Sequence, residues 1–211
     1  MKPTKPTKQT QGRAEADVQN VVKTYDPGAF ALSAGLVHEK AARQYASELQ
    51  PTRAATVTKG VTARRDKAWG GMAEVGTAQI TRNTLEQLMD AKILSPKEAL
   101  ALGRVLTLFE AGSVSTDEVK KVSLEVYEEL VQSKASPVAI ALAGIAKNSV
   151  QIAIEMRHTK SEVNWWRVVG ADLAGAGTGA LAGAAGGPLG IIGGAIAGAV
   201  VASGGELAKS K

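Results

Sequence analysis

The sequence predicts an all-α protein, and three observations lead to that fold class. Apolar residues recur mostly at helical spacing along 29–49, among them Leu32, Leu36 and Val37. Helix-start signals follow one another through the middle of the chain. No run of residues is convincing as a β-strand. We therefore expect a soluble helical body followed by a C-terminal glycine-rich helical hairpin.

The N-terminal third of the chain carries an excess of positive charge. Residues 1–70 contain 12 Lys+Arg and 6 Asp+Glu. Residues 1–13 are predicted to be disordered, because after Met1 the first dozen residues offer no apolar side chain to bury. In the basic region 14–83, a helix is predicted over 14–24, ended by Asp26-Pro27-Gly28, and a second over 29–49. Residues 51–83 are predicted to be mainly loop.

A cluster of basic residues lies within that loop. A solvated loop is the default interpretation, and electrostatic attachment to anionic lipid or nucleic acid is the alternative. Nucleic acid is the weaker partner hypothesis, since no RNA-binding signature or DNA-reading helix accompanies the cluster. The residues are Arg53, Lys59, Arg64, Arg65 and Lys67.

The helical body is predicted over 84–163. Ser95-Pro96-Lys97-Glu98 has a serine cap, proline at the first helical position and glutamate at the third. Ser115 with Glu118 repeats the capping box, and Ser136-Pro137 begins a further helix that should reach Arg157. A short helix over 84–92 precedes this set.

The C-terminal segment 164–211 is nearly uncharged. Asp172 is the only charged residue from 168 to 205, and that stretch contains 13 Gly and 11 Ala. A single span of this length would be interrupted at Gly186-Gly187-Pro188, because proline breaks a helix. We therefore predict two helical arms, 168–185 and 189–204, joined by a tight turn.

Glycines recur every four residues along both arms, and this spacing places small residues on one helix face. Such a face lets two helix backbones approach closely, above all in lipid. The predicted helix-packing residues are Gly175, Gly179, Gly183, Gly187, Gly190, Gly194 and Gly198, with Gly186 continuing the second series.

The flank of this segment is typical of a membrane interface. Trp165, Trp166 and Arg167 precede the arms, and tryptophan and arginine are favoured at headgroup depth. The alternative is that both tryptophans pack on the helical core. Asp172 is a candidate ionisable switch if it is held near the membrane edge, and otherwise a solvated residue.

Composition and motifs argue against an enzyme. The chain has no cysteine, which excludes disulfides, thiolate zinc sites and cysteine nucleophiles. Of its two histidines, His38 is expected on the surface and His158 at a helix end. No His-Glu-x-x-His, phosphate-binding loop or nucleophile-elbow motif occurs. We predict no catalytic residue, metal, cofactor or small-molecule substrate.

The doubled four-residue glycine repeat around Gly186-Gly187-Pro188 resembles the glycine-zipper two-helix hairpin families of bacteria and the glycine-rich segments of bacteriocin-like peptides. The resemblance covers about 40 of the 211 residues. It implies membrane association and helix self-packing. The chain departs from these families in lacking a lipoprotein cysteine and an apolar double-glycine leader.

The leading functional hypothesis is a membrane-inserting, toxin- or bacteriocin-like bacterial protein that forms homo-oligomers through its tail. No signal peptide is evident, so cytoplasmic synthesis followed by membrane association is expected. The alternative is a structural or cargo protein of a phage or injection-type assembly, in which the tail mediates protein–protein packing.

Overall fold

The computed structural model describes residues 26–48, 77–110, 115–156 and 165–209. Within these ranges the chain is helical and contains no β-strand, which confirms the all-α prediction. A 3-10 turn, Ala184–Gly186, joins the last two helices. The helices are α1 (Pro27–Glu48), α2 (Thr77–Asp90), α3 (Pro96–Glu110), α4 (Thr116–Gln132), α5 (Pro137–Met156), α6 (Trp165–Ala182) and α7 (Gly187–Lys209).

Asp26-Pro27-Gly28 was predicted to end a helix, but the structure places these residues at the start of α1. Asp26-Pro27-Gly28 begins this helix: the Gly28 amide donates to Asp26 Oδ1 at 2.9 Å, and Pro27 occupies the first helical position. The predicted disorder over 1–13 and the predicted helix over 14–24 lie outside the described residues.

Helix α2 begins at Thr77, inside the segment 51–83 that was predicted to be loop. Its first half is mainly polar in sequence, with Ile80 as its one large apolar residue, whereas Leu85, Leu88 and Met89 all fall in the second half. That uneven distribution explains why the sequence indicated only the later part of the helix. The rest of the predicted loop, through residue 76, is outside the described ranges.

The predicted helix caps of the body are confirmed. Ser95 Oγ accepts from the Glu98 amide at 3.3 Å, and the Glu98 carboxylate accepts in return from the Ser95 amide at 2.7 Å. Ser115 Oγ caps α4 by accepting from the Glu118 amide at 3.2 Å. Each bond satisfies an amide that the helix itself leaves free.

Helix α5 is the central element of the bundle. Its residues from Val138 to Ala146 are all buried, and it packs against α1, α3, α4, α6 and α7. Helices α6 and α7 pack against each other, and they also contact α1, α2 and α5. Side chains from α6 and α7 therefore share one apolar cluster with the body, including Ala180, Ile192 and Ala199.

Helix α1 lies parallel to α5 and presents a different face from the one expected. Leu32, Leu36 and Val37 are 48%, 64% and 42% exposed, whereas Ala31 and Ala34 are fully buried. The cause is the close approach of the two helices, which leaves room only for small residues. A Cβ atom on Gly35 would lie closer than 3.0 Å to the backbone of Gly144.

Candidate functional site

Helices α6 and α7 run antiparallel and touch through their backbones. A Cβ atom built on any of six glycines would lie closer than 3.0 Å to a carbonyl oxygen of the facing helix. The contacts occur at three levels along the pair, spaced four residues apart on each helix. Only glycine permits this separation, because any side chain would meet backbone atoms rather than a movable group. The facing pairs are Gly175 with Gly198, Gly179 with Gly194, and Gly183 with Gly190.

Gly187, predicted as a seventh packing residue, lies instead at the turn between the helices. A Cβ atom there would meet nothing within 4 Å, so no close helix contact involves it. Its φ of +64° is in the left-handed region, where residues with a side chain are strained. Gly186 likewise has open space around it and belongs to the 3-10 turn. Both residues therefore shape the connection between the arms.

Between residues 172 and 205, each polar side chain makes a hydrogen bond within the α6–α7 pair. From 172 to 205 the only polar side chains are Asp172, Thr178 and Ser203. Thr178 Oγ1 donates to the Ala174 carbonyl of its own helix at 2.9 Å. Ser203 Oγ of α7 donates to Asp172 Oδ1 of α6. The hydroxyl groups of the pair thus need no hydrogen-bond acceptor from the body. This matters because an unpaired polar group is costly away from water.

Asp172 is buried, with 2% of its surface exposed, so the interpretation of it as a solvated residue is wrong. Besides Ser203, it faces His38 of α1, whose Nε2 lies 3.5 Å from Asp172 Oδ2. Three helices therefore contribute one polar side chain each to a buried cluster, which we call the polar cluster: His38, Asp172 and Ser203.

The expectation that His38 lies on the surface is also wrong, because this residue is fully buried. Neither ring nitrogen has a hydrogen-bond partner among the described residues, so the approach to Asp172 is the polar contact of the ring. The sequence gives one indirect sign of this burial, although it does not identify the helix that covers the ring. His38 continues a helical stripe of small buried residues at Ala31, Ala34, Gly35 and Ala42.

A second polar group joins α1 to α5 beside the polar cluster. Glu39 Oε2 accepts from Asn148 at 2.8 Å, and Arg43 donates to both Glu39 and Glu155. The hydrogen bond to Glu155 is the main cause of a raised pKa for Arg43. Bonds from Gln151 and then Arg43 lower the pKa of Glu155. The charged groups Glu39, Arg43 and Glu155 lie partly in solvent, so their ion pairs orient α1 on α5 and contribute little stability.

The open end of the α6–α7 pair carries an ion pair. Arg167 Nε lies 3.7 Å from Glu206 Oε2, linking the first turn of α6 to the last turns of α7. Arg167 is largely exposed, in keeping with its predicted place at an interface, and that role stays a prediction. The side chains of Trp165 and Trp166 lie outside the described part of the structure.

Two described helices are long and apolar enough to cross a membrane by length and composition: α5, and the segment Ala184–Glu206, which covers α7 up to Glu206. A buried core helix passes the same test, and α5 is such a helix, with 78% of its window buried. The window around α7 is only 28% buried. Helix α6 does not pass the test.

The described residues contain no group of three or more histidine, aspartate or glutamate side chains placed to hold a metal ion. One small apolar cavity lies between α2, α3, α5 and α6, against Leu88, Val105 and Leu173. It holds no titratable side chain, so it offers no acid–base chemistry.

Comparison with protein-family models, with curated proteins and with solved structures found no match. The resemblance to glycine-zipper hairpins therefore stays a prediction that rests on the glycine spacing itself.

Proposed function

We propose that this protein inserts into membranes and that the α6–α7 pair is the part that enters the lipid. The observation that carries the proposal is the self-sufficiency of the pair. Its 33 residues from 173 to 205 carry no charge, and Thr178 and Ser203 make their hydrogen bonds within the pair. Lipid offers no hydrogen-bond partners, so a segment that satisfies its own polar groups can enter it at low cost.

The dimensions of the pair agree with this role. Helices α6 and α7 have 18 and 23 residues, and at 1.5 Å per residue they are about 27 and 34 Å long. The hydrocarbon core of a bilayer is about 30 Å thick. The ion pair of Arg167 with Glu206 lies at the open end, where both helices would reach the headgroups on the same side.

The outward face of α7 is the second support. An ordinary surface helix turns polar side chains to water. Between Gly187 and Glu206, the part of α7 whose side chains the structure describes, the exposed positions are Pro188, Ala197 and Val201, and no charged residue occurs between Gly187 and Gly205. Water therefore gains no favourable contact with this face, whereas lipid tails would.

The backbone contact between α6 and α7 is the third support. The hydrophobic effect does not drive helices together in lipid, so close packing through small residues holds them together instead. Six facing glycines supply that packing without any side chain from the body. The pair can thus keep its structure when its surroundings change from protein to lipid.

A charge at the middle of α7 tests the proposal. Ala197 is exposed in the bundle and lies near the centre of α7, so Ala197→Lys should leave the water-soluble fold intact. In a bilayer the same lysine would sit near the midplane, at a cost of about 3 kcal/mol. We expect Ala197→Lys to lose most flotation with liposomes and most dye leakage.

Leu100→Lys is the matched control, because Leu100 is 74% exposed on α3 and gains the same charge. It should float and leak like the parent chain. Equal flotation and leakage for Ala197→Lys and the parent would refute insertion of α7.

The rival function is that of an assembly component whose tail packs against other proteins. The outward positions Gly193, Ala197 and Val201 are small and spaced by four residues, a pattern that also suits helix–helix contact. Under that alternative, light scattering without lipid should show a defined oligomer that Ala197→Lys disrupts. A monomer in buffer that floats with liposomes supports insertion instead.

A further inference from the structure

We propose that His38 of α1 and Asp172 of α6 form a pH-sensitive latch that holds the α6–α7 pair in the bundle and releases it on acidification. This inference rests on the proposed function, since it concerns how the pair would leave the body before insertion. No motif in the sequence connects these two residues, which are 134 positions apart in the chain.

The geometry divides the polar cluster between the part that would move and the part that would stay. Asp172 and Ser203 belong to the pair and are bonded to each other. His38 belongs to α1, which packs on the central helix α5. The 3.5 Å approach of His38 to Asp172 is therefore a polar contact that release of the pair must break.

The number of protons bound by His38 and Asp172 sets the net charge of the cluster, and that charge decides the free-energy cost of burying it. An imidazolium beside a carboxylate gives a compensated pair. Removing the imidazolium proton leaves a buried negative charge without a counter-ion, and protonating the carboxylate leaves a buried positive one. Uncompensated buried charge is strongly unfavourable, so the bundle should be most stable in the compensated state.

Acidification then acts twice in the same direction. Protonation of Asp172 leaves the His38 imidazolium buried alone, which destabilises the closed bundle. It also removes the last charge from 168–205, which lowers the cost of transfer to lipid. His38 stays with α1, where opening of the bundle gives its ring access to water.

Other ionisable groups border the cluster and must be separated from it in any test. On the α1–α5 side these are Glu39, Arg43 and Glu155, and at the open end of the pair they are Arg167 and Glu206. Each of these acids faces an arginine, so acid weakens those ion pairs as well. Among the ionisable side chains that the structure describes, only His38 and Asp172 are almost fully buried, and there one proton creates an isolated buried charge.

Two near-isosteric variants should move the release pH in opposite directions. In Asp172→Asn no carboxylate balances a protonated His38 ring, so release should begin at a higher pH than in the parent chain. In His38→Gln no imidazolium forms, and acid merely neutralises the buried carboxylate. That variant should resist acid better than the parent chain and be less stable near neutral pH.

The measurement is hydrogen exchange of the amides in 168–205, followed from pH 7.5 to pH 4.5 without lipid and corrected for intrinsic exchange. Parallel samples receive dye-loaded vesicles of anionic phospholipid. The expected order of midpoints for loss of protection is Asp172→Asn highest, the parent chain next and His38→Gln lowest. Glu155→Gln, which removes an exposed ion-pair partner, should leave the midpoint unchanged.

The two arms separate failure of the latch from failure of the proposed function. Identical midpoints in all variants, with vesicle leakage still present in acid, would overturn the latch and leave insertion standing. Shifted midpoints without leakage in any variant would support the latch and count against insertion. The double variant His38→Gln, Asp172→Asn should show no acid step from this site, so the test stays decisive if one single variant does not fold.

Discussion

One carboxylate ties together the starts of two helices. Glu98 accepts from the amide and hydroxyl of Ser95 at the start of α3, and from the Ser136 amide before α5 at 2.6 Å. Burial acts to raise the pKa of Glu98, but hydrogen bonds from Ser95 and Ser136 outweigh it and lower the pKa below 4.5. The ionised carboxylate is therefore the form that the fold favours.

Replacing this carboxylate should weaken the fold in a pH-dependent way. Glu98→Gln keeps the shape of the side chain, but the NH2 group of glutamine replaces one of the two oxygens that accept from the Ser95 and Ser136 backbone amides. The free energy of unfolding should fall by about 1–2 kcal/mol at pH 7. A lowered pKa contributes stability above the unfolded value, and that stability is lost as pH falls through the folded value. Urea unfolding should thus show a difference in the free energy of unfolding between the variant and the parent at pH 7 that narrows as the pH falls toward 2.5.

The control for this comparison is Glu118→Gln. Glu118 occupies the equivalent place after Ser115, and its own side chain is exposed. It should cost only a few tenths of a kcal/mol. A loss for Glu118→Gln equal to that for Glu98→Gln would remove the special role of the bond to Ser136.

At the scale of elements, the contacts of glycine differ sharply between neighbours on α7. A Cβ atom on Gly194 would meet the Gly179 carbonyl, whereas one on Gly193 would meet nothing within 4 Å. Gly194→Ala should therefore push the helices apart and cost about 1–3 kcal/mol. Gly193→Ala should gain up to about 1 kcal/mol, because alanine favours the helix. Thermal unfolding of the two single variants beside the parent chain measures the expected loss of stability for Gly194→Ala and the expected gain for Gly193→Ala.

A destabilisation of the same size for both variants would show that helix propensity or exposure, and not the backbone contact, governs these positions. Alanine at Gly179 on α6, or at Gly183 directly after its end, should behave like Gly194→Ala, since a Cβ atom on either glycine would meet a carbonyl group of α7.

The elements that could be predicted from the sequence are those set by nearby residues. Caps at Ser95 and Ser115 involve groups three positions apart, and the glycine spacing repeats every four residues. The burial of His38 could not be predicted in the same way. It depends on α1 approaching α5 through Gly35, and a short run of small residues does not specify which helix will lie beside it.

The same limit applies to the exposed leucines of α1. Leu32 and Leu36 fall at helical spacing and were expected to form the apolar face, but a close crossing at Gly35 admits only small side chains. Local hydrophobicity indicated a helix correctly, and the tertiary contact decided which face was buried.

At the scale of the whole molecule, the tail contributes to the core of the body. The main apolar cluster draws on Ala176, Ala180, Ile191, Ile192, Ala195, Ile196 and Ala199 from α6 and α7. Removing residues 164–211 uncovers the surfaces of α1, α2 and α5 against which these residues pack. The division of the chain at 163/164 into a body and a tail stays a prediction, and this packing makes the two parts energetically dependent.

A chain that ends at residue 163 should accordingly lose its cooperative thermal transition and bind a dye that reports exposed apolar surface. Circular dichroism against temperature and dye fluorescence give the two readouts. Deletion of residues 2–13, which lack apolar side chains, is the control and should leave the transition in place. A sharp melting transition in the shortened chain, close to that of the parent, would show that the body is stable alone.

The glycine crossings of α6 and α7 also give the pair an unusual thermodynamic character. Glycine has no side chain, so bringing the helices together there freezes no rotamers. Separating them uncovers mainly peptide groups, whose hydration lowers the heat capacity, whereas uncovered hydrocarbon would raise it. Urea solvates peptide groups as well as apolar ones. The contact between α6 and α7 should thus yield readily to urea, while its strength changes little on cooling.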